Sequence, residues 1–259
     1  MPGSYLDLFD LTGSSAIVSG GAGDIGQVAV RAFLEQGAAV TIFDRDQRRM
    51  DLLAKELGHF ATRLHMVCGD IAKSEDLDQL LAQTQFADGI DILVNAAAIQ
   101  SRQSSFEEFN LNSLDALWSV NARGLIDITQ RVIARMVTRG RGSIINLCSI
   151  ASLTGVKNKM AYSVTKGAIA LYTRSLALEV GGRGVRVNGI APGMIVTQFN
   201  RDWLGQNPDL SQAGLRRIPM GRFGEAAELA GVFLLLATNA GSYINGELIV
   251  VDGGRLAGA

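Results

Sequence analysis

Apolar and polar positions along this chain follow two alternating periods. Short runs, apolar almost throughout, recur at "SAIVS" (15–19), "AVTIF" (39–43), "LHMVC" (64–68), "DILVN" (91–95), "SIINL" (143–147), "VRVNGI" (185–190) and "ELIVV" (247–251). Strands covered on both faces read this way. Between the runs, apolar residues return every three or four positions, the helical period. Leu125, Ile128, Val132 and Met136 form one such stripe, and Ile169, Tyr172, Leu176 and Val180 a second. Leu229, Val232, Phe233 and Leu236 form a third. Strands alternating with helices predict an α/β fold, an open parallel sheet with helices on both faces.

No repeat, low-complexity tract or linker divides the 259 residues, so 1–259 is expected to be a single domain. One segment breaks the rhythm. Residues 194–224 carry Pro208, Pro219, Trp203 and the pair Arg216-Arg217. A connection this long inside a compact domain is usually functional. It reads as a lid over a substrate site, with a peripheral helical insertion as the alternative.

Composition narrows the function classes. A net charge of -1 offers no basic field for nucleic acid and no polybasic patch for a membrane. The longest apolar run, "VFLLLA" at 232–237, is far shorter than the ~18 residues of a membrane span. The N-terminal "MPGSYLDLFDLTG" lacks the basic-then-apolar layout of a secretion signal. Cys68 and Cys148 lie far apart with no CxxC or Cys/His spacing, which fits a reducing compartment and no metal site. The expectation is a cytoplasmic protein whose partner is a small molecule.

Open parallel sheets bind ligands beyond the carboxyl ends of their strands. Behind the first strand stands "SGGAGDIG", Ser19 to Gly26, running straight into a helix. Glycines there let the backbone approach a pyrophosphate, and the helix N-terminus adds N–H donors and a positive dipole end. Two registers fit: Gly21, Gly23 and Gly26 spell GxGxxG, while Gly20 and Gly26 fit the ends of a TGxxxGxG loop. In the second register Ser19 replaces Thr, and Asp24 stands where Gly is usual. Asp24 either crowds the pyrophosphate or caps the helix, since Asp is a favoured N-cap.

Asp44 ends the second strand in "TIFDRD". A carboxylate there accepts hydrogen bonds from ribose hydroxyls and repels a 2′-phosphate, favouring NAD over NADP. Arg45 beside it is the countervailing residue. Asp70 ends the third strand, placed to meet an adenine amino group, and Asn95-Ala96-Ala97 ends the fourth, where small side chains leave room for a ribose.

The stretch "YSVTK" places Tyr162 and Lys166 at i and i+4, neighbours on one helix face. Tyrosine, with an ordinary pKa near 10, is a poor base at neutral pH, and a nearby ammonium is the usual means of lowering it. Ser149 follows the fifth strand, where its hydroxyl can polarise a carbonyl while Tyr162 moves the proton. Asn121 in "SVNARG" is placed to hold a water that relays protons towards Lys166.

These pieces, with "CGDIA", "VNAAA", "RVNGIAPG" and "VVDGG" in this order, resemble a short-chain dehydrogenase/reductase over essentially the whole chain. The resemblance implies a Rossmann-type doubly wound sheet of seven parallel strands in the order 3-2-1-4-5-6-7. It also implies hydride transfer between a nicotinamide cofactor and a carbonyl or secondary alcohol. Asn121, Ser149, Tyr162 and Lys166 would form a catalytic tetrad. The cofactor-binding set it implies is Gly20, Asp24, Ile25, Gly26, Asp44, Asp70, Ile71, Asn95, Ala96, Ala97, Tyr162, Lys166, Pro192, Gly193, Ile195 and Thr197. Ala97 departs from the glycine usual after "NA", as Asp24 does in the loop. Together with the short apolar tail Leu256 to Ala259, the resemblance suggests a homotetramer.

Substrate choice is expected from "IQSRQS" (99–104), "LTGVKNKMA" (153–161) and the 194–224 insertion. Arg102, Lys157, Asn158 and Lys159 suit a hydroxylated or anionic substrate if they face the pocket. With Ser149, Arg102 and Asn158 are the candidate substrate contacts. The balance favours a polyol, sugar or sugar acid, with an NADP-dependent 3-oxoacyl reductase as one alternative and a non-catalytic dinucleotide sensor as another.

Overall fold

The structure, a computed structural model, describes residues 4–84, 89–100 and 105–258. Its main sheet has seven strands: β1 Ser15–Ser19, β2 Ala39–Asp44, β3 Leu64–Cys68, β4 Ile92–Asn95, β5 Gly142–Leu147, β6 Val185–Pro192 and β7 Leu248–Val251. They pair in the order β3-β2-β1-β4-β5-β6-β7, every pair parallel. Chain direction across the sheet reverses between β1 and β4, and a crevice opens beyond their carboxyl ends.

The central strands are mostly apolar because each face has its own helical layer. Ala16 and Val18 of β1 join Val40 and Ile42 of β2 and Ile145 of β5 on one side. They pack there under α1 (Gly26–Glu35), α2 (Gln47–Glu56) and α9 (Ala230–Ala237) through Val30, Phe33, Met50 and Phe233. Ile17, Leu93, Ile144 and Val187 point the other way. Their partners are α3 (Ser74–Gln83), α5 (Leu125–Arg139) and α6 (Met160–Val180), through Leu77, Leu80, Ile128, Val132, Met136 and Val180. The period of two along each strand thus divides between two cores.

A polar chain crosses the second core. Asn95 Nδ2 donates to Thr129 Oγ1 of α5 at 3.0 Å and to Asn146 Oδ1 of β5 at 2.9 Å. Asn146 Nδ2 donates in turn to Thr173 Oγ1 of α6 at 2.9 Å. All four side chains are buried, so these bonds set the height of α5 and α6 on the sheet.

Between α4 (Leu111–Leu117) and α5 the backbone widens into a π-helical turn, Trp118–Gly124, which holds Asn121. The 194–224 segment contains two helices, α7 (Gln198–Gln206) and α8 (Pro208–Leu215). Its ends are tied by a short parallel pair, Ile195–Val196 with Gly224–Glu225. Among the described residues, no helix is long and apolar enough to cross a membrane.

Candidate active site

Beyond the carboxyl ends of β1 and β4 lies a trough in two parts. The first, about 230 Å³, is lined by Phe43, Asp44, Arg45, Asp70, Ile71 and Ala97 among others. The second, about 500 Å³, runs past Asp24, Ile25 and Gly26 to Ser149, Tyr162, Lys166, Pro192 and Thr197. Gly20, Ala96, Ala98 and Ile99 line both, so the trough is continuous.

Backbone crowding explains the glycine loop. Gly20 has φ +67, and a Cβ there would stand 2.6 Å from Ala97 Cα. At Gly26 a Cβ would stand 2.1 Å from the Gly20 carbonyl oxygen. The register that matters is therefore the one with Gly20 and Gly26 at its ends. The loop passes hard against the end of β4, and α1 starts at Gly26 with no side chain capping it. Such a backbone cradle fits the pyrophosphate of a dinucleotide.

Asp24 does not cap α1; the N-cap position belongs to Ile25. Its Oδ1 accepts from Arg49 Nη2 at 2.6 Å and its Oδ2 from the Gln198 backbone N–H at 2.6 Å. At the far end, Asp44 Oδ2 accepts from the Ala22 N–H at 3.1 Å and Oδ1 from the Asp46 N–H at 3.0 Å. These two bonds hold its carboxylate on the wall of the trough. Asp70 Oδ1 accepts from the Ala72 N–H at 2.9 Å, an Asx turn that aims the loop after β3.

At the chemical end, Ser149 leaves β5 and caps a short 3₁₀ turn, accepting from the Ala151 N–H at 3.1 Å. Its hydroxyl lies close enough to the Tyr162 phenol to favour the phenolate. Lys166 is buried, and its Nζ donates to the Leu147 carbonyl at 2.6 Å while lying 5.8 Å from the centre of the Tyr162 ring. Burial pushes the Tyr162 phenol up to about 12, against the effect of the Ser149 hydroxyl, and brings Lys166 down to about 8. The expected lowering of Tyr162 by Lys166 is absent from the protein alone. Desolvation is the largest cause of the rise, and the Lys166 ammonium, whose hydrogen bond goes to a backbone carbonyl, is not among the groups that shift the phenol. Cys148, also buried, is raised to about 11 by desolvation.

Several expected contacts fall elsewhere. The Asn95 side chain is turned into the polar chain of the core rather than towards a ribose. Asn121 brackets the backbone of Ile99: Oδ1 accepts from its N–H at 2.8 Å and Nδ2 donates to its carbonyl at 2.9 Å. Its amide thus anchors the strand-end segment that lines the trough, and its remaining contact is Thr165 Oγ1 at 3.4 Å. Gly193 and Ile195 are off the trough walls. Gly193 crosses Asp252, which a Cβ would approach to 2.8 Å, and Ile195 is buried against Gly224. Asn158 also lies off the walls, half-buried, and among the described residues is the sole non-glycine with positive φ, at 62°. Arg102 lies outside the described residues.

Sequence reasoning missed Arg49 and Cys148 on the walls, and reached Ile99 and Gln100 only as part of the 99–104 segment. Arg49 had a signal: Asp46 caps α2 by accepting the Arg49 N–H at 3.0 Å, so Arg49 lies in the first turn behind the acidic end of β2. The others carry no chemistry that spacing reveals.

A family model described as enoyl-(acyl carrier protein) reductase matches residues 20–255. Galactitol 2-dehydrogenase (L-tagatose-forming) of Cereibacter sphaeroides is 35% identical over 96% of this chain and 98% of that protein. A 3-oxoacyl-[acyl-carrier-protein] reductase of Thermotoga maritima is 31% identical over 94% of this chain and 98% of its own length. Among solved structures, a gluconate 5-dehydrogenase from Burkholderia cenocepacia, in complex with NADP and tartrate, superposes with a TM-score of 0.89 at 33% identity. That match covers 98% of this chain and 99% of the other.

Proposed function

The chain belongs to the short-chain dehydrogenase/reductase family, and as an oxidoreductase of that family, we propose, it transfers hydride between NAD(H) and a secondary alcohol or its ketone on a polyol, sugar or sugar acid. The observation that carries this reading is a single trough with Ser149, Tyr162 and Lys166 at one end and Asp44 at the other.

The nicotinamide ring, when bound, supplies or accepts the hydride. Everything else falls to side chains of this protein. Ser149 Oγ and Tyr162 Oη, neighbours on the trough wall, present two hydroxyls to one substrate oxygen. In reduction, Tyr162 donates its proton to the forming alkoxide; in oxidation it takes the alcohol proton while Ser149 steadies the oxygen. A phenol raised to about 12 stays protonated near neutral pH, so its proton is present for reduction while the phenolate that oxidation needs is scarce. Oxidation therefore needs added positive charge beside it, for which Lys166 is the cation this protein places there. Lys166 is held ready by the Leu147 carbonyl.

Asp44 supports NAD, since its fixed carboxylate accepts ribose hydroxyls and repels a 2′-phosphate. Arg45 is the rival influence on the same wall. A sugar-type substrate draws support from the galactitol and gluconate dehydrogenases and from the polar Gln100 on the chemical part of the trough. The Thermotoga maritima relative supports the 3-oxoacyl alternative, which as an NADP enzyme runs against Asp44. A sensor role has no need of the assembled Ser149, Tyr162 and Lys166.

Reduced-nicotinamide absorbance, followed with NAD or NADP across polyols, sugars, sugar acids and β-hydroxyacyl thioesters, tests the reading. Turnover with NAD and a polyol or sugar acid is the expected result. Equal or better use of NADP would overturn the role of Asp44, and turnover confined to acyl thioesters would overturn the substrate class.

A further inference from the structure

Asp24 stands in the glycine loop where a side chain is least expected, and its carboxylate is only 14% exposed. Both oxygens are engaged, each at 2.6 Å, by partners from two other elements: the Arg49 guanidinium on α2 and the backbone N–H of Gln198, the first residue of α7. That N–H belongs to a helix N-terminus, where donors have no partner within the helix and the dipole favours an anion. One carboxylate thus joins the nucleotide loop to the start of the 194–224 segment.

The consequence falls on the trough. Pro192 and Thr197 line it, and Gln198 follows Thr197 directly. Asn200 fastens the same turn from within, its Oδ1 accepting from the Thr197 N–H at 2.8 Å and its Nδ2 donating to the Ile195 carbonyl at 2.8 Å. Those bonds shape the turn but do not attach it to the loop. Among the described residues, the hydrogen bond that reaches across to the loop is that of Asp24. Arg49 has a separate part: it lines the trough beside Asp24 and offsets a negative charge that would otherwise oppose an arriving pyrophosphate.

We propose that Asp24 is a positioning residue of this site, fastening the first turn of α7 to the glycine loop so that the Pro192–Thr197 wall is set before ligand arrives, with Arg49 cancelling its charge. This rests on the family's dinucleotide site but not on the identity of the alcohol substrate.

The test compares Asp24→Gly, Asp24→Asn and Arg49→Met with the parent chain. Amide hydrogen exchange over residues 198–206 is read in the ligand-free protein, and NADH binding by nicotinamide fluorescence. Losing a hydrogen bond to a charged group should speed exchange at the start of α7 by roughly tenfold or more in Asp24→Gly. Asp24→Asn, which keeps an acceptor for the Gln198 N–H, should recover part of that protection. Arg49→Met should leave exchange near the parent's yet weaken NADH binding, and should cost no affinity in an Asp24→Asn background. With a substrate in hand, Asp24→Gly should raise KM more than it lowers kcat. Parent-like exchange in Asp24→Gly would overturn the fastening role, and a loss of NADH affinity from Arg49→Met undiminished by Asp24→Asn would overturn the charge role. Because exchange is read without substrate, a wrong substrate class leaves this result untouched.

Discussion

Tyr162 and Lys166 answer to opposite consequences of the same burial. The phenol is raised to about 12 and the ammonium lowered to about 8, so near neutral pH the free protein holds Tyr162 protonated. Tyr162→Phe keeps the ring and removes the transferable proton. Turnover should fall by about 10²–10⁴-fold, the usual worth of a general acid or base, while NADH still binds. Near-parent turnover with a genuine substrate would exclude the phenol from proton transfer. Lys166 also leaves a mark on stability. Its folded value of about 8 lies below its ordinary 10.5, so between those limits the unfolded chain binds more protons and stability rises with pH. Cys148, raised to about 11 from 9.0, works in the opposite direction from pH 9 upward. Between pH 8 and 9 Lys166, whose share is at most ~1.4 kcal/mol per pH unit, acts in the same direction as Lys159, which burial also lowers, and removing Lys166 separates the two. Urea midpoints of the parent and of Lys166→Met should diverge in slope across that window; parallel slopes would show that Lys166 stays charged when folded.

At the scale of elements, the glycine loop is the least tolerant part of the fold. Its two ends touch backbone, and a Cβ at Gly26 would stand 2.1 Å from the Gly20 carbonyl oxygen, a contact no rotamer can relieve. Gly26→Ala should separate α1 from β1, lowering the melting temperature and abolishing NADH binding together. Retention of both would mean that the loop can shift without consequence. Gly23 is less constrained, its Cβ meeting the same oxygen only at 3.0 Å. This element was legible in the sequence as a glycine turn between strand and helix, but the working register was not. Two glycine patterns overlap in "SGGAGDIG", and only the approach of Ala97, from another strand, decides between them.

For the whole molecule, the exposed apolar residues point to self-association. Val164, Leu171 and Leu178 stand exposed on α6 at steps of seven, one face of the helix, and Leu178 is 87% exposed. Leu111 of α4 and Trp118 are also exposed, at the same step. Tyr172 and Leu176, on the apolar stripe of the same helix, are half-buried against the protein's own cores and leave that face to the exposed residues. Stripes of this kind favour a twofold contact between like helices, consistent with a homotetramer. Light scattering should give about four times the 27.5 kDa chain mass, and Leu171→Glu with Leu178→Glu should reduce it. A single-chain mass for the parent at micromolar concentration would refute the assembly.

The sequence alone determined where the strands lie and that Tyr162 and Lys166 share one helix face, because hydrophobic period and i,i+4 spacing are local properties; the strand order and the grouping of Ser149 with that pair were what the family resemblance implied. The tertiary structure decided how polar side chains are used, because each use depends on which distant element comes within 3 Å. Asn95 looks like a cofactor contact at a strand end until Thr129 and Asn146 claim its amide. Asn121 looks like a water holder until the Ile99 backbone closes on it. Asp24 looks like a helix cap until Arg49 and Gln198 reach it from elsewhere in the chain. The ionisation of Tyr162 was beyond the sequence for the same reason, since a neighbouring ammonium can be read from spacing whereas desolvation is a property of the packed surroundings.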